Sequence, residues 1–474
     1  MSNYRTWLAG AFLGYIVADL ARRFFEGTKA LLIVFDLGIF AAYVAFLLRS
    51  RIHIARSVRS KLLIGVMALY VLVILAECAN PSPYSRYAVT KILAIRNYLL
   101  ALPCVWLGYD LASPSGRAAL HKAAHRFRWV FAVAAGFGVA TYLIRSGGSG
   151  ADSDPESVLK PLAGAVRGYG KGQLTLSSSF FATSVRFAFF ILGGFLLLWG
   201  HYKTAEKFVW PVLLLSLAGM YVSGSRALFT MFLLFLGLAF VFFRTGRTPP
   251  SQRTVTTVLL AGALLSAVLL FSPDISRAFS GGEDYRTRAS YLFQGRDEYL
   301  QRTQMALSPL YLRPNNPNIL FGVGVGTFGQ ETFAVPSLMA AGYRLVAMFF
   351  HEEPGMPLAD SGLTKLCIEL GVVGLTVAVT FLLAIMWCAA SAMARAVATR
   401  DALGFAAGFY PLAWFVIFLK GHQVLGGAEA SAVLFLCLGF ALRTLDTAPT
   451  PAAAAPVAAG RLRRVPNERV GTLA

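Results

Sequence analysis

Negative charge is scarce in this chain. Only 23 Asp and Glu stand against 43 Lys and Arg, and charged residues of both signs make up 14% of the 474. A soluble protein carries about 25% charged residues. With apolar residues at 57% and a mean hydropathy of +0.62, there is too little charge to cover a water-exposed surface of this size. Cysteine is sparser still: Cys78, Cys104, Cys367, Cys388 and Cys437 are scattered, with no CxxC and no Cys/His ligand spacing. That excludes a disulfide framework and a zinc site. No small-residue cleavage site follows the first apolar stretch, which therefore reads as a span and not as a removed signal. No internal repeat is evident, which weakens a transporter built from inverted halves.

What is present is a series of apolar runs near the ~20 residues that cross ~30 Å of hydrocarbon. They lie at 6–22, 29–48, 61–77, 88–110, 127–144, 180–200, 208–223, 226–243, 254–273, 362–388, 403–420 and 429–446. The fold class expected is an all-α polytopic membrane protein of about twelve transmembrane helices. The net charge of +20 does not indicate a nucleic-acid partner, because such a protein gathers its charge on one face. Here the basic residues fall in alternate connections: Arg49 to Lys61, Arg117 to Arg128, Arg244 to Arg253, and the tail. That is the positive-inside bias, and it places both termini in the cytoplasm. Four regions follow: spans over 1–273, an extracytoplasmic loop over 274–361, further spans over 362–446, and a low-complexity tail over 447–474 whose arginines could meet anionic lipid.

The long loop is polar where its surroundings are apolar, and a polytopic protein does not need it in order to fold. It carries Arg296 in an amphipathic helical pattern from about 289 to 308, with Arg286, Arg288 and Arg302 close by, and the segment is suited to an anionic ligand. Arg296 reads either as part of a solvated face or as a ligand contact. Gly324-Val-Gly-Thr-Phe-Gly329 matches GxGxxG, but without the strand–turn–helix setting that a dinucleotide needs. Its glycines are better suited to close approach to a ligand or another helix. Ser223-Gly-Ser-Arg226 is a tight turn between two spans, and Arg226 is either an interfacial anchor or a phosphate clamp, since guanidinium matches phosphate oxygens as a fork. Asp360-Ser361 can cap the following helix or supply a general base. His351 and His422 are the histidines expected outside the cytoplasm. Asp152-Ser-Asp154 reads as loop solvation. Asp36, Glu77, Lys91, Arg96 and Arg186 are costly in lipid and should face the bundle interior; Arg186 lies near enough to the outer surface to join a phosphate pocket.

Taken together, the chain resembles the O-antigen ligase and O-antigen polymerase superfamily of bacterial inner-membrane glycosyltransferases. The resemblance rests on Ser223–Arg226, on Arg296 upstream of Gly322–Phe328, and on Asp360-Ser361 followed by Glu369-Leu-Gly-Val-Val-Gly-Leu375. It implies a GT-C-like fold and an active site on the periplasmic side, with no metal and no cofactor. The donor would be an undecaprenyl-pyrophosphate-linked glycan, and the acceptor another glycan or lipid A-core. Arg226 and Arg296, with Arg186 and Arg302, would bind the pyrophosphate, and Asp360 or His351 would act as base. Ligases of the family carry His-Asn where this chain has Asp360-Ser361, which leans the reading toward a polymerase. Two rivals from other classes remain: a transporter of a lipid or anionic solute, and an accessory scaffold.

Overall fold

A computed structural model describes residues 4–24, 33–48, 57–147, 166–167, 176–177, 184–204, 210–223, 225–243, 312–328, 336–350, 362–420 and 428–447. The helices are α1 (Tyr4–Phe24), α2 (Ile33–Leu47), α3 (Val58–Cys78), α4 (Ala88–Leu99), α5 (Cys104–Leu111), α6 (Pro114–Gly147), α7 (Ser184–Thr204), α8 (Trp210–Ser223), α9 (Arg226–Phe243), α10 (Pro336–Phe349), α11 (Gly362–Ala398), α12 (Ala402–Lys420) and α13 (Ala428–Asp446). One two-residue antiparallel ladder, β1 (Val166–Arg167) with β2 (Leu176–Ser177), is the exception to an all-helical description. Five helical stretches are long and apolar enough to cross a membrane: Val58–Cys78, Ala88–Leu111, Val185–Thr204, Gly362–Ala398 and Ala402–Leu419. Three shorter apolar helices accompany them. The architecture fits an all-α membrane protein.

Each predicted span except 254–273, which lies outside the described residues, coincides with a helical stretch. Two of them are interrupted. The run at 88–110 divides into α4 and α5 at a tight turn before Pro103, where Leu102, Cys104 and Val105 each donate to the carbonyl three residues back (3.0–3.1 Å). Proline brings no N–H and disfavours helix in the residue before it. The run at 362–388 becomes the longer α11, broken at Gly371 (φ 63°, ψ −171°). At its far end α11 stops on Arg400 in the left-handed region (φ 57°). There Asp401 N–H returns to the Ala396 carbonyl at 2.8 Å, a Schellman closure. Asp401 then caps α12 by accepting from Gly404 N–H (3.0 Å). The helix α10 lies within the polar insert, where short helices are expected, beyond the pattern read over 289–308.

The bundle core joins α11 to α12 and α3, α13 to α5, and α12 to α7. Its centre is aromatic: Phe195, Phe232, Phe235, Phe405 and Phe409 are buried together. The outward faces are also apolar, with Leu69, Leu72 and Leu75 on α3, Trp129 and Val133 on α6, and Leu383 and Trp387 on α11 exposed. Contiguous apolar surface of this kind is a liability in water and a solvated face in lipid.

The interior charges foreseen from the sequence all find partners. Arg96 on α4 grips Asp36 on α2 with two nitrogens, Nη2 reaching Oδ1 at 3.0 Å. Lys91 Nζ donates to the Cys78 carbonyl (2.7 Å), and Glu77 accepts from Asn80 (2.7 Å). At the opposite end, Arg117 makes a two-pronged contact with Asp401 (2.8 and 2.6 Å). Removing one member of such a pair strands the other, whereas replacing both by apolar groups is close to neutral. Asp36→Leu should therefore cost about 2 kcal/mol, and Asp36→Leu with Arg96→Leu should recover most of it. Thermal unfolding of the two variants in nanodiscs checks this.

Candidate functional site

At one end of the bundle the backbone itself is the organising element. A helix broken at Gly371 frees carbonyls and amides on both sides of the break, and residues 319–324 meet them. Val323 N–H donates to the Ile368 carbonyl (2.9 Å) and Gly324 N–H to the Glu369 carbonyl (3.1 Å). In return, Val372 and Val373 donate to the carbonyls of Ile319 (2.8 Å) and Leu320 (3.1 Å). The glycines are required here. Gly322, Gly324 and Gly326 have φ of 71°, 93° and 79°, and a Cβ on Gly322 would lie 2.6 Å from the Glu369 carbonyl. On Gly371 it would lie 2.4 Å from the Leu320 carbonyl. The loop is therefore packed inside the protein, with Val323, Val325 and Thr327 fully buried.

Glu369, fully buried, ends the first part of α11 and points its carboxylate into this loop. Oε1 accepts from Gly326 N–H (3.1 Å) and Phe328 N–H (3.0 Å), and Oε2 accepts from the Tyr98 hydroxyl of α4 (2.6 Å). Two main-chain N–H groups converging on one anion, with a glycine at positive φ, form an anion-holding nest. The GxGxxG-like segment thus does hold an anion, and the anion is the protein's own carboxylate. One helical turn earlier, the buried Lys365 sets its ammonium 5.4 Å above the Tyr98 ring. The α3–α4 connection closes the other side: Asn80 donates to the Phe321 carbonyl (3.4 Å), and Gly324 and Gly326 press against Ser85 and Thr90.

Within the insert, residues 312–316 are tied to the end of α10. Leu312 bridges Phe350, and Arg313 donates its N–H to the Phe349 carbonyl (2.8 Å) and its Nε to the Phe350 carbonyl (2.7 Å). Asn316 reaches the Met348 carbonyl (3.2 Å). The Tyr87 hydroxyl, before α4, meets Ser337 in the first turn of α10 (3.1 Å) and also takes a bond from Arg86 (3.0 Å). These bonds, Ser337 first, pull the Tyr87 phenol below its ordinary pKa.

Of the residues singled out in sequence, Arg226 is the first residue of α9, after a turn in which Ser225 N–H bonds the Ser223 hydroxyl (3.3 Å) and the Ser225 carbonyl accepts from Phe229 (2.9 Å). Arg186 lies near the start of α7, ion-paired to Glu429 at the start of α13 (3.1 Å). The starts of α7, α11 and α13 and the end of α12 share the end occupied by the glycine loop. Gly362 abuts Phe418, and Leu366, Tyr98, Trp414, Phe418 and Ser431 line one cavity of about 40 Å³. That cavity holds a few waters at most and is too small for a sugar or a nucleotide. Arg296, Arg302, His351 and Asp360 lie outside the described residues, as do Arg286, Arg288, Asp152, Asp154, Glu352, Glu353 and His422. Among the described residues, no three His, Cys, Asp or Glu side chains converge as metal ligands. Sequence reasoning quoted Glu369 only as part of a motif and passed over Tyr98, Lys365 and Arg313. A carboxylate within an apolar run was the available signal.

The conformation at Gly371 lies in a region open essentially to glycine alone, and a side chain there costs about 1–3 kcal/mol before any clash is counted. Gly371→Ala and Gly322→Ala should each lower the melting temperature and membrane yield, whereas Gly136→Ala, with nothing within 4 Å of its added Cβ, should not; thermal shift in detergent compares them. No protein-family model matches the chain, and no curated protein matches it in sequence.

Proposed function

We propose that this protein is a metal-independent, inverting glycosyltransferase of the O-antigen polymerase or ligase type, working at the outer face of a bacterial inner membrane. The observation that carries the reading is the anchoring of the polar insert. Residues 312–328 are fastened to α10, to the α3–α4 connection and into the break of α11, which gives catalytic groups on the insert a rigid base. Arg226 heads α9 and Arg186 stands near the head of α7. Arg59, Arg117, Arg126, Arg128, Arg395 and Arg443 belong to the other end, in keeping with a cytoplasmic face.

In the proposed reaction an acceptor hydroxyl attacks the anomeric carbon of a glycan on undecaprenyl pyrophosphate. The anomeric C–O bond to the pyrophosphate breaks, and the hydroxyl proton passes to Asp360 or His351. Charge develops on the departing pyrophosphate, and Arg226 and Arg296 stabilise it, with Arg302 adding positive potential and Arg186 joining them on release from Glu429. The acceptor is a second lipid-linked glycan in a polymerase, favoured by Asp360, or lipid A-core in a ligase.

A transporter is the second reading, and one feature favours it: a broken helix with buried Lys365 and Glu369 resembles the substrate sites of secondary transporters. Against it, the Glu369 oxygens already accept three bonds from the protein itself. The break is filled by the glycine loop, and the cavity of about 40 Å³ beside it is mostly apolar.

Each charge-assisted hydrogen bond contributes about 1.5–3 kcal/mol, so loss of Arg226 or Arg296 should slow transfer roughly 10- to 100-fold. Arg226→Lys should fail to restore the rate, because an ammonium supplies no fork. A reconstituted assay with lipid-linked glycan measures this, and wild-type turnover by Arg226→Lys would remove the clamp. In a strain lacking the protein, core bearing a single repeat unit marks a polymerase, and bare core with polymer retained on the carrier marks a ligase. Gradient-driven flux without glycan joining would establish the transporter instead.

A further inference from the structure

Glu369 is an expensive residue to bury, and the fold alone does not call for it: an apolar pair in place of a buried charged pair is commonly as stable or more so. What an apolar side chain cannot do is address two main-chain N–H groups of a loop more than forty residues earlier in the chain. The Glu369 carboxylate does so from the last turn before the α11 break, with the same group bonded to Tyr98 on α4. Three elements therefore meet on one side chain: the glycine loop, α4, and the segment of α11 that begins at Gly362.

We infer that Glu369 is a positioning residue for the transfer reaction proposed above. It fixes the glycine loop in the break, and with it the two points, Phe328 and Gly362, at which the polar insert joins the bundle. Tyr98 orients the carboxylate through Oε2. The inference rests on the proposed function for its catalytic consequence and on geometry alone for the clamp.

The geometry sets which substitutions should succeed. In Glu369→Gln the amide oxygen can still accept from Gly326 and Phe328, and its NH2 can donate to the Tyr98 oxygen. Glu369→Gln removes a negative charge one helical turn from the buried Lys365 ammonium, and Lys365→Met removes the positive one while keeping an unbranched apolar chain. Glu369→Ala leaves two buried amides unsatisfied.

The experiment uses the full-length protein in nanodiscs, with hydrogen exchange read over 318–328 and over α7 and α12, alongside steady-state transfer. Glu369→Ala should speed exchange of the Gly326 and Phe328 amides at least tenfold with α7 and α12 unchanged. Its kcat should fall roughly 10- to 100-fold and the donor KM should stay within about threefold. The double variant Lys365→Met with Glu369→Gln should restore protection and kcat to within about fivefold. Tyr98→Phe, the milder change, should loosen the same amides and no others. Faster exchange spread evenly over α7, α12 and the loop would overturn the proposal in favour of general stability, as would wild-type kcat with a loosened loop. If Glu369→Ala is not recovered from the membrane, the double variant and Tyr98→Phe decide by the same readouts. Failure of the wild-type protein to transfer glycan would sink the functional reading and the catalytic role with it; the exchange pattern would separately decide whether Glu369 holds the loop.

Discussion

A main-chain break inside an apolar bundle cannot be left to water, because little water reaches it. Every amide and carbonyl freed at Gly371 must find a partner within the protein. The reciprocal bonds between 319–324 and 368–373 meet that demand. They require a loop that can lie flat against a helix end, which requires glycine at 322, 324 and 326 and a buried acceptor for the amides that then turn inward. Glu369 is that acceptor, Tyr98 its second contact, and the α3–α4 connection the wall behind. The architecture at this end of the bundle follows from one local discontinuity.

Charge elsewhere obeys the same scarcity. With few acids in the chain, several of the described ones tie helices to one another. Asp36 holds Arg96, Asp110 holds Arg5 and the Tyr4 hydroxyl, Asp401 holds Arg117, and Glu429 holds Arg186. Asp446 gathers Ser57, Ser60 and Tyr109 where α3, α5 and α13 meet. These carboxylates are interhelical fasteners, and among the described residues Arg59, Arg117, Arg126, Arg128, Arg395 and Arg443 lie at the end away from the glycine loop.

The apolar helices were legible because hydrophobic run length is a local property of the sequence. Pro103, a known breaker, was also visible, although its run was read as one helix. The interruption at Gly371 was not legible. Ile368-Glu-Leu-Gly-Val-Val-Gly reads as continuous apolar helix, because glycine is tolerated in membrane helices whose neighbours satisfy the backbone. What breaks the helix there is a partner segment some fifty residues upstream, and no window over 362–388 contains it. The glycine motif lacks the strand and helix that a dinucleotide site needs, and in the fold it packs against α11. Its close approach to a helix was read correctly, but the identity of its anion was not, because Glu369 becomes its neighbour only through tertiary folding. Arg226 takes the place at the head of α9 that its turn motif indicated.

The order in which the two sides of this junction are made has a consequence for biogenesis. Residues 319–324 leave the ribosome before α11, so their inward-facing amides have no acceptor until Glu369 has been synthesised and its helix inserted. Until then the glycine segment must stay in contact with water, and it can enter the bundle only as α11 acquires its bend. Loop and helix therefore complete each other in a single late, non-local step, and insertion of the final three helices doubles as the moment at which the polar insert is locked to the membrane domain.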